Sequence, residues 1–498
     1  MIKSILIANR GEIAIRIART AHRMGIKTYG IRTKKEPNAV YLQKVDQIVD
    51  FPDTDGTIAE FLDIKNLVKV AVDNNIESVH PGYGYLSENP DFAQACRDAG
   101  VIFVGPSPEI IHKMGDKIIA KEIAQRAGVP MTGGTLGGIP DTKAAIEEAN
   151  RIGYPVIIKA ATGGGGRGMR VCTKEDEVAP NFELCQKEAL TAFNDPTVFI
   201  EKYIVNPKHI EFQIVADKYG NVIHLGEREC SIQRKHQKLL EEAPSPALDH
   251  ELREKMASAA VRLAKEAKYE SLGTVEFLLD NDKNFYFMEM NTRIQVEHPV
   301  TEMITGLNLV ELQLLIASGE KLQIRQEDVK LNGWAIECRI NAEDVQSGFT
   351  PSIGMIKNMR LPSNNRIRID SGVRVGTEIT PFFDSMIAKL IVHGEDRADA
   401  IKIALHSLEH FVVTGVKTTI PFDKAVLHNE VYRKGDFNTS FIETCMDNLV
   451  WREEHEELIA ALLAVSNYNH DNDFSGDTTD QAEPNVDPWV LQRRIRHL

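Results

Sequence analysis

Thr274-Val275-Glu276-Phe277-Leu278-Leu279-Asp280-Asn281-Asp282-Lys283-Asn284-Phe285-Tyr286-Phe287-Met288-Glu289-Met290-Asn291 sets two apolar, β-prone runs around a cluster of Asp, Asn and Lys. The pattern predicts an antiparallel hairpin of strands 274–279 and 285–291. With the turn at Asp282-Lys283, Asn281 pairs with Asn284, Leu278 faces Phe287, Glu276 faces Glu289 and Thr274 faces Asn291. Asp-Lys is not a favoured two-residue turn. Carboxylates facing each other across a ladder destabilise it. A divalent cation between them reverses the sign, and Mg²⁺ takes oxygen ligands shared between protein and phosphate. Solvated glutamates on an outer face are the commoner arrangement, but here Asn291 and Arg293 extend the same polar row.

That row continues through Thr292, Gln295, Val296, Glu297, His298 and Pro299. The fork of Arg293 suits a small planar oxyanion. Glu297 is a proton acceptor if partial burial raises its pKa towards neutrality. Upstream, Lys159 ends a strand at 155–161 that runs into Thr162-Gly163-Gly164-Gly165-Gly166-Arg167-Gly168-Met169. Glycines let backbone amides approach phosphate oxygens, although an isolated run is more often a flexible hairpin tip. No Gly-Lys-Ser/Thr follows to make a P-loop. Gln233-Arg234-Lys235-His236-Gln237-Lys238 reads as a surface turn, Cys230 as a small buried residue, and a lone His209 beside Glu211 as structural.

Around these motifs the chain is organised as α/β and α+β. Strands at 4–8, 76–80 and 101–104, with a helix from Gly11, predict a doubly wound parallel sheet over 1–113. A strand at 198–203, a second hairpin (209–216 with 222–226) and a helix from Asn308 to Gly319 predict antiparallel sheet packed on helices. After Asn332 β-rich segments return, with helices at 398–411 and 422–426. Residues 466–485 read as an acidic linker, before a short terminal helix carrying Trp489.

Net charge −14 gives no support for nucleic-acid binding. Six scattered cysteines without a C-x-x-C pair predict reduced thiols. No apolar run reaches the ~20 residues of a membrane span, and none near Met1 resembles a signal peptide, so a cytoplasmic protein without membrane contact is expected.

Ala8-Asn9-Arg10-Gly11-Glu12-Ile13-Ala14, His80-Pro81-Gly82-Tyr83-Gly84-Tyr85-Leu86-Ser87-Glu88-Asn89, the glycine run and 289–299 occur in one order. Over residues 1–447 this combination resembles the biotin carboxylase component of biotin-dependent carboxylases, within the ATP-grasp superfamily. The resemblance implies an ATP-dependent ligase forming a C–N bond, with four regions. These are a pre-ATP-grasp domain (1–113), an ATP-grasp domain (114–331, mobile lid about 131–204), a β-rich C-terminal domain (332–447) and an extension (448–498).

By motif position, the nucleotide site is similar to Lys117, Lys159, Gly164, Gly165, Gly166, Gly168, Met169, Glu201, Lys202, Ile204, His209, Gln233, His236 and Leu278. Glu276, Glu289 and Asn291 match the Mg²⁺ or Mn²⁺ ligands. Lys238, Arg293, Gln295 and Val296 match the bicarbonate set, Glu297 the general base, and Arg339 the residue that steadies the biotin enolate. Tyr83 and Glu88 lie near the biotin pocket in this reading. Bicarbonate activated by Glu297 attacks the γ-phosphate of ATP, and the carboxyphosphate formed delivers CO₂ to biotin.

No Ala/Val-Met-Lys-Met attachment motif is present, so biotin is expected on a separate carrier protein, with a separate carboxyltransferase. A homodimer is also expected, although Arg23 stands where many relatives carry an acidic residue. The expected final acceptor is an acyl-CoA (acetyl- or propionyl-CoA), with pyruvate as the alternative. Another ATP-grasp ligase would share the lid and metal pair but not the whole 293–298 row plus Arg339. A non-catalytic ATP-binding scaffold would lack Lys238, Arg293, Glu297 or Arg339, and all are present.

Overall fold

The first sheet is built from short strands, each followed by a polar loop: β1 (Ser4–Ile7), β2 (Lys27–Arg32), β3 (Gln47–Asp50), β4 (Ser78–His80) and β5 (Ile102–Phe103). The computed structural model describes residues 1–52, 59–135, 137–161 and 168–446. These belong to one compact unit, Met1–Val450. The glycines 163–166, the linker 466–485 and the terminal helix lie outside the described residues.

The five strands are all parallel, in the order β3-β2-β1-β4-β5. Chain order reverses between β1 and β4, so the loops after these two strands open side by side at the switch point. Asn9, after β1, donates from Nδ2 to the carbonyls of Pro81 (2.7 Å) and Tyr83 (2.8 Å), after β4. Gly82 is required there: its φ is +64°, and a Cβ would lie 2.8 Å from Asn9 Nδ2.

β6 (Val156–Ala160), β7 (Met169–Cys172) and β8 (Val198–Lys202) form a small antiparallel sheet in the order β7-β6-β8. It encloses its own apolar core, with Val156, Ile158, Phe182, Val198 and Ile200 among its members.

The largest sheet is eight-stranded and antiparallel, with three two-stranded sheets besides it in the C-terminal part of the described residues. It contains β9 (Lys208–Ala216), β10 (Val222–Arg234), β11 (Gln237–Ala243), β12 (Ser271–Leu279), β13 (Phe285–Asn291) and β14 (Trp334–Asn341), closed by strands Met386–Gly394 and Ile367–Ser371. The order is β13-β12-β9-β10-β11-β14, then those two strands. β11 pairs with β14 across the expected boundary at 331/332, so residues on both sides of it share one sheet.

Both faces of this sheet are covered, and they differ in chemistry. On β9, Ile210, Phe212 and Ile214 alternate into a core with Met256, Ala260 and Leu263 of helix His250–Glu266. Their neighbours His209, Glu211 and Gln213 therefore point to the opposite face, and all three are buried. β12 repeats the pattern, with Val275, Phe277 and Leu279 on the apolar side and Thr274 and Glu276 opposite. A buried polar face results, and it must satisfy its own charges.

The 274–291 hairpin has the expected pairs Thr274 with Asn291 and Glu276 with Glu289. The expected Leu278–Phe287 pair is corrected to Leu278–Tyr286. Instead of a two-residue turn, Asp280 closes a longer loop: its carboxylate accepts from the backbone N–H groups of Asp282 and Asn284, and Lys283 has φ +62°. A type I turn completed by a left-handed residue is the usual three-residue hairpin. It displaces the register by one, and the irregularity after Glu276 restores it.

Candidate functional site

The polar face of the large sheet, the loops after β1 and β4, and the small sheet surround a cavity of about 1190 Å³. All the described candidate residues line it except Glu88 and Gly168. Glu88 stands behind it, accepting from Arg293 Nε (2.8 Å) and the Thr292 N–H (3.0 Å). Gly168 turns β7 into the small sheet, its carbonyl accepting from Ala160 (2.9 Å). Gly164, Gly165 and Gly166 lie outside the described residues.

At one end Glu201 is held between Lys159 (2.6 Å) and Lys121. Burial alone would raise its pKa, but the two lysines outweigh burial and bring it down to about 2. Lys202 donates to the carbonyls of Gly153 (2.9 Å) and Tyr154 (2.8 Å), while Lys117, half-buried nearby, is lowered by burial. Met169, Ile204 and Leu278 supply apolar wall. Cations around a partly apolar slot are what a nucleoside triphosphate requires.

The segment read as a surface turn does more than reverse the chain. Only Lys235 and His236 form the turn, with φ of 48° and 64°; Gln233 pairs with Lys238 across β10 and β11. His236 and Gln233 thereby reach the cavity, and Lys238 enters the polar face. His209 is not a lone structural histidine: its Nε2 lies 2.8 Å from Glu276 Oε2. Burial would lower its pKa, but Glu276 raises it above the ordinary value.

Lys238 is the hub. It pairs with Glu211, with Glu276 (3.1 Å) and with Glu297 (2.6 Å). Beneath it the fully buried Arg228 pairs with Glu211 and donates to Gln213 (2.8 Å) and to Gln295, whose amide donates to Glu276 (2.8 Å). Arg339 Nη2 is shared between Glu241 and Glu297 Oε2 (3.0 Å). Neither Arg228, Glu211 nor Glu241 was singled out as a site residue from sequence. For Glu211 the signal is a charge between apolar Ile210 and Phe212, whereas Arg228 lies between Glu227 and Glu229 and Glu241 beside Glu242, where the sequence carries no such pattern.

The expectation for Glu297 is corrected. Burial raises its pKa, but Lys238, Arg339 and Arg228 outweigh burial and hold it well below the usual carboxylate range. Glu276 is likewise lowered by Lys238 and His209 against burial. Glu289, opposite it, is raised by burial and by Glu276 itself. Asn291 donates to Glu276 (2.8 Å) and accepts from Arg293 Nη2 (2.8 Å). Two facing carboxyls and an amide oxygen, one carboxyl raised by its neighbour, form a hard oxygen donor set that suits Mg²⁺ or Mn²⁺. Tyr83 donates to Glu12, which pairs with Lys389 (3.0 Å), and Lys389 also donates to the Val296 carbonyl (2.8 Å).

Three family descriptions match along the chain: "Biotin carboxylase, N-terminal domain" over residues 1–111, "Carbamoyl-phosphate synthase L chain, ATP binding domain" over 116–325, and "Biotin carboxylase C-terminal domain" over 337–444. Biotin carboxylase 1 of Bacillus subtilis is 50% identical over 445 residues, covering 89% of this chain and 99% of that one. A pyruvate carboxylase subunit of Methanothermobacter thermautotrophicus is 50% identical over 443 residues, covering 89% and 90%. The biotin carboxylase domain dimer of Hydrogenobacter thermophilus 2-oxoglutarate carboxylase, crystallised with MgADP, ADP and bicarbonate, superposes with a TM-score of 0.88 at 46% identity, covering 91% of this chain and 100% of that one. The chain belongs to the biotin carboxylase family of ATP-grasp ligases.

Proposed function

We propose that this protein carboxylates biotin on a separate carrier protein, using ATP and bicarbonate, with Glu297 as base and Arg339 steadying the biotin enolate. The observation that carries the residue roles is the buried cluster in which Lys238 and Arg339 both clamp Glu297. Glu297 is ionised there and so free to take a proton. Its two cations also weaken it as a base. When bicarbonate engages Lys238 and Arg293, the hold on Glu297 loosens and its basicity rises.

Deprotonated bicarbonate attacks the γ-phosphate, giving carboxyphosphate and ADP. Lys117 and Lys159 offset phosphate charge, His236, kept neutral by burial, offers an N–H, and Lys238 offsets the charge of the attacking oxygen. Glu276, Glu289 and Asn291 would hold Mg²⁺ or Mn²⁺, which supplies charge neutralisation between the phosphates. Carboxyphosphate breaks the bond between its carboxyl carbon and the phosphate oxygen to give CO₂ and phosphate. The phosphate takes the N–H proton of biotin, whose place Tyr83 and Arg339 border, and the nitrogen bonds to CO₂.

The acceptor is set by the partner. Relatives named for pyruvate and for 2-oxoglutarate are 50% and 46% identical, and those named biotin carboxylase are 50% and 51%. This evenness supports a carrier and a carboxyltransferase on other chains, and it gives acyl-CoA no advantage over a 2-oxo acid. The relative crystallised as a dimer supports a homodimer. Among the described residues no single helix is long and apolar enough to cross a membrane, in keeping with a cytoplasmic site of action.

ADP release with MgATP, with and without bicarbonate and free biotin, tests the reaction. Bicarbonate-dependent, biotin-stimulated turnover is expected. Turnover indifferent to bicarbonate, with both free biotin and a biotinylated carrier tried, contradicts it. Adding acetyl-CoA, pyruvate or 2-oxoglutarate to the complex purified with its partners then identifies the acceptor.

A further inference from the structure

Behind Arg339, on the side away from the cavity, Glu241 of β11 stands directly opposite Glu337 of β14. Both side chains are fully buried, and neither lines the cavity. Glu241 is ion-paired to Arg339 Nη2, the same nitrogen that lies 3.0 Å from Glu297. Among the described residues, neither Glu337 oxygen has a hydrogen-bond partner. Its charged neighbours are Lys389, Glu241, Arg339 and Glu297. Asp423, on helix Ile420–His428, is a further buried carboxyl, raised by burial and by Glu241.

Two facing carboxyls in a buried, low-dielectric site do not both ionise, so one of them holds a proton. The cation decides where the charge sits. Arg339 favours the anion on Glu241, and the proton falls to Glu337. Burial raises both groups, Glu241 to about 7 with Arg339 opposing the rise and Glu337 well above the ordinary carboxylate value, in agreement with the proton resting on Glu337.

We propose that Glu241 is a positioning residue for the carboxylation: as the anionic member of this pair it anchors Arg339 when Glu297, on taking the bicarbonate proton, loses its hold on that guanidinium. The inference rests on the reading of Glu297 and Arg339 given above. The clamp on Arg339 has one wall that is neutralised in the reaction and one that is not. The unchanging wall keeps the guanidinium where the enolate forms, and its charge also keeps Arg339 from depressing Glu297 further. Glu241 faces Arg339, Glu297, Lys238, Glu337, Asp423 and Cys230. Glu297 faces Lys238, Arg339 and Arg228, with Arg293, Cys230 and Glu337 further off.

The experiment compares Glu241→Gln with Glu337→Gln in the full chain, measuring biotin-dependent ADP release against pH. Glu241→Gln removes the anion at constant shape. Its kcat is expected to fall by about 100-fold, the cost of a misplaced catalytic group, with the KM for ATP unchanged. Arg339 then acts on Glu297 alone and favours its ionised form, so the acid limb of the pH profile moves to lower pH. Glu337→Gln keeps a neutral side chain of the same shape, and the expected loss is far smaller, with the acid limb in place. Equal losses in the two variants, or an unmoved acid limb in Glu241→Gln, overturn the proposal. If Glu241→Gln does not fold, Glu241→Asp withdraws the charge by one methylene, and an unchanged kcat there overturns it too. Wild-type protein runs in parallel: if it lacks bicarbonate-dependent turnover, the reading of the reaction has failed, and if it turns over, the variants judge Glu241 alone.

Discussion

The large sheet places glutamates opposite each other at several positions on neighbouring strands, and two of these pairs have opposite surroundings. Glu276 and Glu289, on β12 and β13, line the cavity. Glu241 and Glu337, on β11 and β14, are sealed behind it. Like charges at such positions destabilise a ladder unless something neutralises them. The open pair has access to an external cation, whereas the sealed pair is left with the protein's own Arg339 and a proton. One motif in one sheet therefore does two jobs, decided by whether the carboxyls meet the cavity.

The contrast is broken most severely at the hub between the pairs. Lys238→Met leaves Glu211, Glu276 and Glu297 buried around a lost cation. A loss of about 3–5 kcal/mol of unfolding free energy is expected, measured by denaturant titration. A loss below about 1 kcal/mol would mean that the cluster is more hydrated than its burial implies.

Separating the pairs by metal dependence gives the next largest effect. Glu289→Gln should raise the Mn²⁺ concentration for half-maximal ADP release by at least about 10-fold, whereas Glu337→Gln leaves it unchanged. An equal shift in both variants would erase the distinction between open and sealed.

A carboxylate between lysines provides the third contrast. Glu201 is depressed from 4.5 to about 2. A depressed folded-state pKa gives stability that is present above the unfolded value and lost as pH falls through the folded one. The stability gap between wild type and Glu201→Gln should therefore be constant from neutral pH down to about 5 and shrink below it. A gap that widens on acidification would contradict the ion pairs with Lys121 and Lys159. For scale, Asp73→Asn breaks an exposed pair with Lys69, and a change within about 0.5 kcal/mol is expected.

The open pair was legible in the sequence because a hairpin is local: counting outward from the turn places Glu276 opposite Glu289. The count succeeded even though the turn was one residue longer than assumed, since the irregularity after Glu276 cancels the difference. Such irregularities depend on packing against the next strand and carry no local signal. The sealed pair was not legible. Glu337-Cys338-Arg339 was noticed for its arginine, but its partner strand is 96 positions earlier, and only the folded sheet brings Glu241 to it. Arg228 was missed for a different reason: it faces Glu211 across the local β9–β10 hairpin, but the expected second strand ended at 226, whereas β10 runs to Arg234. The doubly wound sheet was legible in its strands at 4–8 and 76–80, whereas β2 and β3 were not noticed.

Everything proposed for the reaction turns on Glu297 as the base that activates bicarbonate. The direct measurement is transfer of labelled carbon from bicarbonate to a biotinylated carrier, with MgATP, in wild type and Glu297→Gln. Label on the carrier is expected with wild type, and a loss of at least about 100-fold in the variant, with ATP still bound. Undiminished labelling by Glu297→Gln would contradict it, and the base would have to be sought elsewhere in the cluster around Lys238.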